Sequence, residues 1–245
     1  MATLVCFGFG YCAEHFIAEF GGKFERIIGT VRRVERAGIL NAHQAGAVRA
    51  VVFDGALATP ELNGAIGAAD CALISIPPDA NGDPVLAACG SALAARRNVL
   101  SVVYLSTVGV YGDHDGGWVD EQTPPAPRSE RSRRRVAAEQ AWQQFGARHG
   151  VSVAILRLAG IYGPGQNALV ALARGKARRI VKPGQVFNRI HVDDIAQAIE
   201  AAFARRASGA FNIADDEPSP HADPIVFAAE LTGRAPPPEI PFAQA

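Results

Sequence analysis

Six short apolar runs alternate with segments long enough for helices, and this alternation constrains the fold more than any other feature of the chain. The runs are Leu4–Gly8, Arg26–Arg32, Val48–Asp54, Cys71–Ile76, Val99–Ser106 and Val151–Leu158. Between them lie amphipathic segments, Cys12–Phe20, Val34–His43, Pro60–Ile66, Pro84–Arg97 and Arg131–His149. Strands separated by helix-length connections are parallel neighbours, because only a crossover of that length returns the chain to the same sheet edge. The runs are almost continuously apolar, as strands covered on both faces must be. The pattern therefore predicts an α/β protein with a Rossmann-type doubly wound parallel sheet. After Gly160 the rhythm breaks at the Gly163-Pro164-Gly165 turn. Helices are expected at Asn167–Arg174, Asp193–Arg205 and Pro224–Leu231, with a short strand at Phe211–Ala214. We read residues 1–165 as the main domain, with 186–215 returning to it. Residues 166–185 and 216–245 then form a small C-terminal lobe. Prolines at 236, 237, 238 and 241 exclude helix at the end, which reads as a docked tail or a chain stopped short of its natural end.

Composition narrows the function classes. Of 245 residues, 49% are hydrophobic and 20% charged, which excludes intrinsic disorder. Basic and acidic residues balance at 24 each, so neither a nucleic-acid partner nor a membrane surface is expected from global charge. The longest apolar stretches, such as Val99–Leu105 and Val151–Leu156, are too short to span a bilayer. Met1-Ala2-Thr3 leads straight into the first strand with no charged flank and apolar leader, so a cytoplasmic protein is expected. Cys6, Cys12, Cys71 and Cys89 form no CxxC pair and no zinc spacing, so no metal is expected.

The first strand runs into Gly8-Phe9-Gly10-Tyr11-Cys12-Ala13, which fits G-x-G-x-x-A. The pattern acquires meaning from its place between a strand and a helix. Gly8 permits the tight turn, Gly10 lets backbone approach a pyrophosphate, and Ala13 lets helix and strand pack closely. The helix N-terminus, with Phe9, Tyr11 and Cys12 beside the glycines, then faces the phosphates of a dinucleotide. Cys12 has a packing role as its alternative. An acid about 20 residues on would select NAD, and an Arg there NADP. Here the second strand ends in Val31-Arg32-Arg33. Two guanidinium groups can grip a 2′-phosphate, so NADP is the expected cofactor, with NAD possible. Asp54 is placed to bond the adenine, and Ser75 and Pro77 to flank the adenosine side.

Four later segments carry a resemblance. They are Tyr104-Leu105-Ser106-Thr107-Val108-Gly109-Val110-Tyr111-Gly112, Leu156–Gly165, Asn188–Ala196 and Phe211-Asn212-Ile213-Ala214. In order and spacing they resemble the extended short-chain dehydrogenase/reductase superfamily, in its epimerase/dehydratase group. The resemblance covers residues 3–220 and implies that Thr107 hydrogen-bonds a substrate carbonyl or hydroxyl. It also implies that the C-terminal lobe is a substrate lobe. Arg157 is either a buried structural arginine or a ligand. His191 reads as a packed, hydrogen-bonded histidine, and Asp193 as the cap of the helix beginning at Asp194.

One departure bears on the chemistry. The family's Tyr-x-x-x-Lys pair precedes an acid matching Glu139, which places Arg131 and Arg135 at the Tyr and Lys positions. Arginine keeps its proton at any working pH and cannot replace the phenolate. The acidic pair that dehydratases carry after the Thr is Val108-Gly109 here. Arg135 is expected to keep the cofactor-ribose contact of the family's Lys. Arg131, on the same helix face, would then hold an anionic small-molecule substrate. Tyr111, Tyr162 and His114 are the candidate proton donors. The expectation is an NADP-dependent oxidoreductase or epimerase-like enzyme with a non-standard active site, acting as a monomer or homodimer. The alternative is a non-catalytic NADP-binding sensor or regulatory module.

Overall fold

A computed structural model describes residues 2–43, 48–96 and 100–244. In chain order its elements begin with β1 (Ala2–Phe7), α1 (Tyr11–Phe20), β2 (Phe24–Val31), α2 (Val34–His43), β3 (Val48–Val52) and α3 (Pro60–Ala68). Then come β4 (Cys71–Ile74), α4 (Pro84–Ala94), β5 (Ser101–Thr107), α5 (Glu130–His149), β6 (Ser152–Leu158) and β7 (Gly160–Tyr162). The remainder is α6 (Ala168–Ala173), β8 (Arg179–Val181), β9 (Arg189–His191), α7 (Val192–Ala204), β10 (Gly209–Ile213), α8 (Asp223–Leu231) and β11 (Glu239–Pro241). Arg97 and Val99, expected to end a helix and open a strand, lie outside the described residues.

The helix starts follow from side-chain chemistry. Thr59 and Asp83 accept backbone N–H groups of α3 and α4, each followed by a proline that has no N–H to lose. Ser129 does the same for α5, and Gly150, in the left-handed region at φ +65°, ends that helix. His191 rather than Asp193 caps α7, which begins at Val192, a turn position earlier than the sequence suggested.

Seven parallel strands form one sheet in the order β10-β6-β5-β4-β1-β2-β3. The chain winds outward from β1 to β3, then returns to the other side of β1 with β4. The topological switch therefore falls between β1 and β4, where ligands of doubly wound sheets sit. Alternation along each strand feeds two cores. Leu4 and Cys6 of β1 join Phe16 of α1, Ala37 of α2 and Ile195 and Ile199 of α7 on one face. Val5 and Phe7 join Leu62 of α3, Leu93 of α4 and Trp142 of α5 on the other. The fold is the expected Rossmann-type α/β sheet.

β10 completes the sheet edge beside β6. β7 pairs with β9, and β8 with β11, as short parallel pairs outside the central sheet. α6 packs against α8. Among the described residues, no helix is long and apolar enough to cross a membrane.

Candidate functional site

At the C-terminal ends of β1, β2, β3 and β4 a cavity of about 270 Å³ opens. The glycine turn forms its floor. Gly8 has φ +93°, and a Cβ there would stand 2.6 Å from Ser75 Oγ and 3.2 Å from the Ile76 nitrogen. No side chain fits. Hydrogen bonds fix the turn from both sides: Gly8 N–H donates to Thr30 Oγ1 at 2.9 Å, and the Ser75 hydroxyl donates to Gly8 O at 2.7 Å. Gly10 begins α1 with no side-chain cap, and a Cβ there would meet nothing within 4 Å. The N–H groups of the first turn of α1 are thus approachable from open space, an arrangement suited to a pyrophosphate.

Of the residues read from sequence, Gly8, Phe9, Gly10, Arg32, Asp54, Ser75 and Pro77 line this cavity. Phe9 does so mainly by backbone, since its residue is only 5% exposed and its ring packs into the core against Gly29. One Asp54 oxygen accepts the Ala56 N–H at 2.9 Å. Tyr11, Cys12 and Arg33 are not among the lining residues. Tyr11 reaches across to donate to Pro164 O at 3.0 Å. Cys12 packs against the core, where burial pushes its thiol up to about 11. Lining residues not read as part of the site include polar Thr30 and, in the first turn of α2, Arg36. Arg36, not Arg33, joins Arg32 at the cavity. The available signal was the place of Arg36 in the first turn of the helix that follows the end of β2.

The region around Thr107 is built differently. Thr107 Oγ1 accepts the Gly109 N–H at 3.1 Å and so caps a short helical turn. Ser132 is the α5 hydroxyl near this turn, and a Cβ on Gly109 would lie 3.5 Å from its Oγ. Arg131 is exposed, and neither a hydrogen bond nor an ion pair ties it to the described residues. Arg133 and Arg134 both pair with Glu130.

The expectation for Arg135 is corrected. Its guanidinium donates to Tyr104 Oη at 3.0 Å and to Leu105 O at 2.9 Å. It also stands over the Tyr104 ring. Both bonds are made by Nη1 and fasten the side chain to β5. Tyr104 itself is buried, and burial pushes its phenol up to about 12 against the opposing pull of Arg135.

Tyr111 is corrected as well. It is 2% exposed, accepts a hydrogen bond from Arg157 at 2.7 Å and donates to Asn212 Oδ1 at 2.8 Å. Arg157 in turn grips buried Glu139 through Nε at 3.1 Å and Nη2 at 2.8 Å, and the Ser106 hydroxyl donates to the same carboxylate. This network ties β5, α5, β6 and β10 together, and it settles Arg157 as a structural arginine. His114 is exposed, its Nε2–H donating to Tyr111 O at 3.1 Å. Tyr162 sits edge-on to His191 and beside Asp215, and burial followed by that carboxylate raises its phenol. His191 packs as expected. Its Nδ1 accepts the Asp193 N–H.

Comparison with known proteins agrees with this geometry. A solved structure of a functionally unknown conserved protein from Silicibacter pomeroyi is 45% identical, with a TM-score of 0.88 over 100% of this chain and 83% of that one. The dTDP-glucose 4,6-dehydratase of Bacillus anthracis, solved in complex with NAD, shares the fold at 17% identity, with a TM-score of 0.77 over 98% of this chain and 85% of that one. A 3-diazoavenalumate denitrifying reductase from a Streptomyces species is 36% identical over 98 residues, 37% of this chain. The matched segments span only 32% and 24% of the lengths of that reductase and of an uncharacterised protein from Schizosaccharomyces pombe. The model of the NAD dependent epimerase/dehydratase family matches residues 84–214, more than half of the chain. With the doubly wound sheet and the glycine turn at its switch point, that match makes the chain a member of the NAD dependent epimerase/dehydratase family.

Proposed function

We propose that this protein binds NADP(H) in the crevice between β1 and β4 and serves as an NADP-dependent oxidoreductase with a non-standard active site. The observation that carries the reading is the pair of guanidinium groups, Arg32 and Arg36, lining the cavity at the end of β2, where an NAD-selective site carries an acid. The bound cofactor would supply the redox chemistry. The chain would supply the cradle: Gly8 and Gly10 admit the phosphates, Ser75 and Pro77 flank the adenosine, and Thr107 stands at the carboxyl edge of β5. The reductase similarity favours a reductive role. Exposed Arg131 favours an anionic small-molecule substrate, selected by the lobe of residues 166–185 and 216–245.

The test is calorimetric titration with NADPH and NADH beside absorbance assays on a panel of carbonyl compounds. NADPH should bind about tenfold tighter, and Arg32→Ala should remove most of the difference. Equal affinity, or tighter NADH, rejects the NADP assignment. A second reading is a non-catalytic NADP-binding module. It is favoured by the fact that all four tyrosines are engaged: Tyr11 with Pro164, Tyr104 with Arg135, Tyr111 with Arg157 and Asn212, and Tyr162 beside Asp215. Binding with no turnover across the panel selects it.

A further inference from the structure

The two guanidinium groups of the cavity are not equivalent. Arg32, at the strand end, makes no hydrogen bond or ion pair with the described residues. Arg36 is bonded by the carboxylate of Glu14. Glu14 belongs to the first turn of α1, the helix whose N-terminus is open above Gly10. The ion pair therefore bridges α1 and α2 at the margin of the cavity. Glu14 does not line the cavity itself, so its charge acts there through the arginine it holds.

Resting on the cofactor reading above, we infer that Glu14 is a specificity-determining residue, whose carboxylate occupies Arg36 and limits the preference for a 2′-phosphorylated adenosine over a 2′-hydroxyl one. A 2′-phosphate must share Arg36 with the carboxylate or displace it, and it brings a like charge close to Glu14. A neutral 2′-hydroxyl meets neither obstacle. Arg36 and Glu14 are both partly exposed, so water and salt screen the effect and keep it moderate. The site then favours the phosphorylated cofactor through Arg32, while Glu14 keeps Arg36 from adding its full share. Removing the charge of Glu14 should sharpen selectivity toward the 2′-phosphorylated ligand and change the other less.

The experiment titrates the full chain, Glu14→Gln, Arg36→Ala and the double variant with NADPH and NADH. The fragments 2′,5′-ADP and 5′-AMP are titrated beside them, by calorimetry at low and high salt. Glu14→Gln should tighten NADPH and 2′,5′-ADP about fivefold at low salt and less at high salt. NADH and 5′-AMP should gain less, within about twofold, because only their 5′ phosphates, common to both ligand pairs, feel the lost charge. Arg36→Ala should weaken only the 2′-phosphorylated ligands, its NADH titration serving as the folding control, and on that background Glu14→Gln should add nothing. The inference is overturned if Glu14→Gln leaves NADPH unchanged or weaker, shifts NADH equally, or keeps its gain without Arg36. Absence of binding by any dinucleotide or fragment to the unaltered chain overturns the cofactor reading as well; normal binding with a silent Glu14→Gln overturns this inference alone.

Discussion

The two halves of the crevice use their polar groups in opposite ways. At the β1–β4 end, polar groups face open space: the start of α1 is uncovered above Gly10, and Arg32 reaches the cavity unpaired among the described residues. At the β5–α5 end, apart from exposed Arg131, most groups placed to do chemistry are bonded within the fold. Arg135 is held by Tyr104 and Leu105, and Tyr111, Arg157, Glu139 and Ser106 form a closed network. A side chain that completes its hydrogen bonds inside the fold stabilises the fold and gives up its reach to a ligand. The comparison teaches that one end of this crevice is arranged to bind, while the corresponding side chains at the other end hold the sheet and α5 together.

The largest effect should come from breaking the closed end. Glu139→Ala leaves the Arg157 guanidinium buried without its carboxylate, and loss of one partner of a buried pair costs about 3–5 kcal/mol. Denaturant unfolding should show the midpoint falling accordingly. A loss under about 1 kcal/mol would mean that the network is not structural. At the open end the same kind of measurement should be nearly silent. Gly10→Val adds a side chain where nothing lies within 4 Å. Its stability cost should be about 1 kcal/mol or less, from a poorer helix start. Its dinucleotide affinity should fall about 100-fold, because the new methyl groups fill the approach to the N-terminus of α1. Normal binding by this variant would remove the cofactor from the place given to it. Arg135→Met is the smallest and sharpest test. It strips partners from the Tyr104 hydroxyl and the Leu105 carbonyl, at a cost of about 1–2 kcal/mol, yet cofactor affinity should be unchanged. A drop in affinity without a drop in stability would return Arg135 to the cofactor and erase the contrast between the two ends.

What the sequence disclosed, and what it withheld, divide along a physical line. Strands such as Val48–Val52 and Ser152–Leu158 are legible because both faces are covered, so nearly every residue is apolar. Starts such as Thr59-Pro60 and Asp83-Pro84 are legible because capping is local chemistry. The three-residue strands β7, β8, β9 and β11 are too short to show any period, and their pairing comes from tertiary neighbours. The glycine turn was readable because its demand is steric and lies within a few residues. Arg135 was not, because its anchors Tyr104 and Leu105 lie about 30 residues away, and helix spacing reports which face a residue occupies but not what waits opposite. Arg36 was passed over for Arg33 because adjacency along the chain was taken for adjacency in space.

Helix α1 is braced along both flanks. Glu14 bonds Arg36 of α2, His15 lies 3.4 Å from Asp193 of α7, Lys23 just beyond its end bonds Glu200 of α7, and Phe16 packs on Phe203 at 6.0 Å. The helix whose N-terminus faces the crevice is therefore tied to its neighbours by contacts that owe nothing to a ligand. The entropy of ordering that surface is spent during folding rather than on association. Ligand capture at this end then resembles the meeting of two rigid bodies, with little rearrangement of the backbone that receives the phosphates.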